Sequence, residues 1–180
     1  MEPLQLWLIR AFTSVEPVSA VMRTQWAWPV AESLHFVGLS MLFGTIGMFD
    51  LRLLGVAKQI PIAALHRLVP WGVGGFLLNM ATGATFLLTE PDQYILNPAF
   101  HFKMLFMALA GLNVVAFYLT MFRDVKTVGV GGDAPGPAKV VACASLLLWT
   151  GVIICGRLLT FYRPFPCGPE GPGFIASCYS

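Results

Sequence analysis

Charge is scarce in this chain: Asp, Glu, Lys and Arg make up 11% of its 180 residues, against roughly 25% in a soluble domain. That shortage leaves nothing from which to build a large soluble domain. A formal net charge of +2, with no Lys/Arg cluster and no run of stacking aromatics, excludes nucleic acid as a partner. The sequence also lacks a Gly-rich phosphate loop, H-E-x-x-H, G-x-S-x-G and C-x-x-C, so catalysis by this chain alone is not expected. Its first 28 residues hold no basic segment followed by a long apolar core, and no cleaved signal peptide is expected.

What is present is apolar: 57% hydrophobic residues and a mean hydropathy of +0.73, the composition of an integral membrane protein. Four stretches carry no Asp, Glu, Lys or Arg: 33–49, 68–89, 104–122 and 140–156. With their flanks each covers the roughly 20 residues needed to cross a bilayer. The expected fold is all-α, a bundle of four transmembrane helices at about 29–55, 61–89, 97–123 and 138–162. Segment 1–27 precedes it, with Leu4 to Phe12 read as a short interfacial helix, and 163–180 forms an exterior tail, all within one membrane domain. Pro61 should start the second helix and Pro70 should kink it, freeing the carbonyl of His66. The run V-G-V-G-G-D-A-P-G-P at 128–137 reads as a flexible linker.

Arg52, Lys58, Arg67, Arg123, Lys126 and Lys139 fall on the side of the first and third interhelical loops. By the positive-inside rule that side is cytoplasmic, which places both termini outside. Cys167 and Cys178 then lie in an exterior tail where a disulfide is permitted. Cys143 and Cys155 are about 18 Å apart along one helix, too far to bridge, and read as packing residues. Asp50 and Arg52 are expected to pair with Arg67 or Lys58 where the first helix leaves the membrane.

The pieces W-P-V-A-E-S-L-H (28–35), D-L-R-L-L-G (50–55), L-V-P-W (68–71), T-G (82–83), N-P-A-F-H-F-K (97–103) and G-R (156–157) span nearly all of the hydrophobic chain. In these the chain resembles a family of small bacterial four-helix integral membrane proteins with no assigned activity. More loosely it is similar to copper-resistance membrane domains and four-helix b-type cytochromes. The resemblance implies a multi-pass protein of the bacterial inner membrane. At His101 and Tyr118 the chain departs from the family pattern, which has a basic residue and a histidine there, so His35 alone carries over.

Measured from the exterior ends of their helices, His35 lies roughly 9 Å in, and His101 and Arg157 about 6 Å; Thr82 and Thr85 fall in the same layer. Two imidazoles on separate helices suit a b-type haem, with Arg157 and Lys103 pairing with its propionates. Glu32 would orient His35 or pair with Arg157. Gly38, Gly44 and Gly47 would admit a close helix or a flat macrocycle. His101 and Lys103, however, differ by about 200° around their helix, so only one can face the bundle. The expected function is an electron-transfer subunit binding haem b and linking the quinone pool to a periplasmic protein partner. Two alternatives stand beside it. One is a non-catalytic assembly subunit, in which His35 simply bonds Thr82 or Asn79. The other is a copper-handling protein using Met41, Met48, Met80, Met104 and Met107 with imidazole.

Overall fold

The computed structural model of the chain describes residues 3–13 and 16–161. Its regular structure there is entirely helical: α1 (Pro3–Thr13), α2 (Glu16–Met22), α3 (Ala27–Leu53), α4 (Ile62–His66), α5 (Val69–Thr89), α6 (Pro91–Ile95), α7 (Pro98–Thr120), α8 (Phe122–Val125) and α9 (Gly136–Phe161). Four spans are long and apolar enough to cross a membrane: α3, α4 with α5, α7, and α9. The expected all-α four-helix bundle is thus the fold, and the chain is a multi-pass membrane protein. Tail residues 163–180, with the disulfide expected between Cys167 and Cys178, lie outside the described residues.

Local chemistry sets the helix ends. Gly55 takes a left-handed φ of +97°, its N–H reaching the carbonyl of Arg52 and that of Val56 the carbonyl of Leu51. This is a Schellman closure, which glycine adopts without a Cβ penalty. The second span is interrupted where a kink is expected. Pro70 occupies the first turn of α5, where its missing N–H costs nothing, whereas a continuous helix would need that N–H for the carbonyl of His66. The chain therefore breaks at Arg67–Leu68, ahead of the proline. At the start of α7, buried Asn97 accepts the N–H of Ala99 at 2.9 Å and Pro98 follows, a side-chain cap with proline in the first turn.

α3 lies along α5, α7 lies along α9, and the two pairs join where α3 meets α9. α5 and α7 barely touch. At one point α3 and α5 come to backbone contact: a Cβ on Gly38 would lie 2.8 Å from the carbonyl oxygen of Gly75, and one on Gly75 would lie 2.6 Å from that of Gly38. Gly44 and Gly47, also expected to admit a close neighbour, have nothing within 4 Å of such a Cβ. α1 rests on α5 and α6 and α2 on α5, leaving Leu4, Trp7, Val21 and Trp26 exposed at that end.

The opposite end is stitched together by its loops. Arg52, 1% exposed, donates from Nε to the carbonyl of Ile60 at 2.7 Å and from Nη2 to that of Gly132 at 3.3 Å. Lys58 and Lys139 both reach Asp133, at 3.3 and 3.0 Å, and the two ammonium groups, Lys139 foremost, hold the Asp133 carboxyl below its usual range. Lys58 therefore pairs with Asp133, not with Asp50, and Arg52 with backbone carbonyls, which corrects the pairing expected from the sequence. The charges sit where the sequence puts them. It is the loop path that decides their partners.

Candidate functional site

The expected polar layer forms around His35, but with fewer members. His35 Nδ1 lies 2.7 Å from Thr82 Oγ1, and the Thr82 hydroxyl donates to the carbonyl of Leu78 at 2.8 Å. That direction leaves Thr82 oxygen as acceptor and His35 Nδ1–H as donor, so Nε2 keeps a free lone pair. The ring packs beside Phe86 at 5.7 Å, which in turn contacts Trp28 at 5.0 Å. Gly83 supplies the space: a Cβ there would lie 3.8 Å from His35 Cε1. Thr85 donates to the carbonyl of Thr82, one turn away.

Lys103 is the residue of α7 that turns inward, its ammonium opposite Gly156 of α9. His101 is accordingly on the exposed side of α7. Glu32 is exposed, and Arg157 is exposed with its guanidinium 4.7 Å above the Phe161 ring. Among the described residues neither forms an ion pair with the other. Of the five residues expected at a cofactor, His35 and Lys103 therefore converge, while His101, Glu32 and Arg157 face outward. The methionines do not gather around His35: Met48, Met80 and Met104 are exposed, Met41 backs onto Gly75, and Met107 lines a cavity in the other half of the bundle.

That cavity, of about 260 Å³, lies where α5 and α7 fail to meet. Its walls include Phe49, Phe76, Phe117 and Trp149, and its polar lining is Thr45, Asp50, Asn113, Tyr118 and Ser145. Val73 of α5 and Val114 of α7 line it and are also exposed, so the opening is lateral, on the side that faces lipid. Asp50 and Trp149 are each only 6% exposed. Ser145 faces the Asp50 carboxylate, yet Asp50 Oδ2 and Trp149 Nε1 are buried without a hydrogen-bond partner. A buried acceptor and a buried donor left unmatched beside an apolar cavity are unusual, because each costs about 1–3 kcal/mol.

Tyr118, at the cavity edge, bonds His66 Nε2 at 3.2 Å, and His66 stacks on Phe122 at 4.7 Å. Asn113 donates to the carbonyl of Val141 at 3.2 Å, a hydrogen bond from α7 to α9. Neither Ser145 nor Trp149 stands out in the sequence, and Asp50 reads there as a structural charge. The available signal was one of depth: Asp50, Asn113 and Ser145 are polar residues within three apolar spans, all in the half away from His35. No family model, no curated protein and no solved structure matches the chain.

Proposed function

We propose that the protein binds a quinone-type lipid in the cavity between α5 and α7 and acts as a membrane subunit at the quinone pool. The observation that carries this is the buried, unpartnered Oδ2 of Asp50 in an apolar cavity with a lateral mouth. A ring head with two carbonyls as quinone and two hydroxyls as quinol matches the chemistry available: Trp149 Nε1–H donates to a quinone carbonyl, and the Asp50 carboxyl donates to the other carbonyl when protonated and accepts from a quinol hydroxyl when ionised. Aromatic walls suit a flat ring, and an isoprenoid tail would leave between Val73 and Val114 into lipid. About 260 Å³ lies just under the roughly 300–1,000 Å³ of ligand pockets, room for a ring head but not for its tail.

Trp149 also provides the readout. In detergent-solubilised protein, a short-chain ubiquinone analogue should quench tryptophan fluorescence saturably, and the saturable part should vanish in Trp149→Phe. In Asp50→Leu, which keeps the fluorophore and removes the carboxyl that donates to a quinone carbonyl, half-saturation should rise about tenfold, the equivalent of one lost hydrogen bond at about 1.4 kcal/mol. Quenching that is linear in quinone, or identical in all three proteins, sinks the proposal.

Haem b is the second reading, favoured by the free Nε2 of His35, whose ring is fixed by Thr82 in the manner of an oriented ligand. Within one chain the residues do not fit a bis-histidine site, because His101 is exposed on the other side of α7 from Lys103. An iron here would take its second imidazole from another chain. The visible spectrum decides: a Soret band with sharp reduced α and β bands, abolished in His35→Ala, supports this reading, and a colourless preparation ends it.

A further inference from the structure

A quinol carries hydroxyl protons that the quinone lacks, so a ring that changes between the two in the cavity must exchange protons with water. The mouth between Val73 and Val114 opens on lipid, and a hydrocarbon layer offers no water to take them up. Asp50 can hold one proton beside the ring, but it is only 6% exposed and its neighbour Ser145 is buried too. Asn113 is committed to the carbonyl of Val141. Neither leads out of the cavity.

Tyr118 differs from the other lining residues. It stands in the last turn of α7, which ends at Thr120, and its hydroxyl lies 3.2 Å from Nε2 of His66, the last residue of α4 and one that does not line the cavity. The two rings meet edge to face at 6.0 Å, and Phe122 packs on both, 5.0 Å from Tyr118 and 4.7 Å from His66. Three rings in mutual contact hold the hydroxyl against the imidazole. His66 is half-buried, while Arg67 and Arg123, next in the chain to His66 and Phe122, are exposed. Arginines at the end of a span keep their guanidinium groups in water. One hydroxyl and one imidazole thus join an apolar chamber to the wet end of the bundle.

We propose that Tyr118 and His66 carry protons between a ring head in the cavity and water at the end of the bundle away from His35. The inference rests on the quinone reading of the cavity and names the route by which that site exchanges protons. When a quinol ionises, a ring hydroxyl gives its proton to the Tyr118 oxygen as Tyr118 gives its own to His66 Nε2. One ring O–H bond and one tyrosine O–H bond break, and one tyrosine O–H bond and one imidazole N–H bond form. A ring oxyanion, a neutral tyrosine and an imidazolium result, and the imidazolium passes its Nδ1 proton to water. No electron moves in this step, and it runs in reverse when the ring is protonated. Tyrosine suits the inner position because one oxygen both donates and accepts; histidine suits the outer because it can take a proton on one nitrogen and release one from the other.

The probe is a short-chain hydroxynaphthoquinone, whose ring hydroxyl ionises with a change of colour. With detergent-solubilised protein in excess, a stopped-flow pH jump reads how fast the bound ring gains or loses its proton, and tryptophan quenching reads binding separately. Tyr118→Phe keeps the three-ring cluster and removes the hydroxyl; it should slow the colour change by on the order of a hundredfold and alter half-saturation far less. His66→Ala should slow it similarly, and imidazole added to the buffer should restore part of the rate in His66→Ala but not in Tyr118→Phe. A histidine with a purely structural role would show no such recovery. Tyr118→Phe decides the matter if His66→Ala does not fold. Absence of saturable quenching in wild type overturns this inference together with the quinone reading. Saturable quenching with one and the same rate in wild type and the variants overturns the proton path alone.

Discussion

Arg52→Met is expected to destabilise the protein by on the order of 3 kcal/mol, because two hydrogen bonds from a charged donor, each worth about 1.5–3 kcal/mol, are lost together. Methionine fills most of the space at 1% exposure, so the effect isolates the guanidinium. Relief from desolvating that group offsets part of the loss, which is why the full sum is not expected. The carbonyls of Ile60 and Gly132 are left without their partner, and the loop around Gly132 should become the first site of protease cleavage. Arg52→Lys should recover little, since one ammonium lacks the fork that reaches both carbonyls. Detergent-to-SDS unfolding and limited proteolysis measure the two effects. An unchanged midpoint with unchanged cleavage would show that the guanidinium does not hold these loops.

Gly75→Leu should be comparably damaging through a different physical cause. Even the first carbon of the new side chain would meet the carbonyl oxygen of Gly38 at 2.6 Å, and Leu42 N and Met41 Cβ at 2.9 Å. Two of these are backbone atoms, so the helices must separate for the side chain to fit. Overpacking of this kind costs about 1–3 kcal/mol and occasionally more, and close approach of backbones at small residues is a main source of helix association in lipid. Gly44→Ala is the matched control. No atom lies within 4 Å of its added Cβ, and the gain in helix propensity makes it neutral or stabilising by about 0.5–1 kcal/mol. If both variants unfold at the wild-type midpoint, the α3–α5 crossing does not contribute to stability.

Architecture was legible because hydropathy alone counts spans, and four apolar runs leave few other folds. The layer around His35 was legible in part. Depth along each helix put His35, His101, Arg157, Thr82 and Thr85 in one layer, of which His35 and Thr82 meet, and helical angle showed that His101 and Lys103 could not both turn inward. Which one turns inward depends on what the other helices offer, here the bare backbone of Gly156. The partners of Arg52 and Lys58 across the bundle were not legible, because they depend on two loops converging from positions 75 to 80 residues apart. The cavity was least visible of all. It arises from contact that α5 and α7 do not make, and a sequence apolar on every side of a helix does not mark the side left uncovered.

The pairing of α3 with α5 and of α7 with α9 also bears on how the molecule is made. Each pair joins spans that follow one another in the chain, so its contacts can close soon after the second span is synthesised, at small entropic cost. The seam between α3 and α9 joins the first span to the last. Asp50 is thus inserted long before Ser145 and Trp149 exist to surround it, and it acquires its buried setting only when α9 docks. Until that final step its carboxyl waits near the end of α3 without the lining it will share, and the cavity is the last part of the protein to come into being.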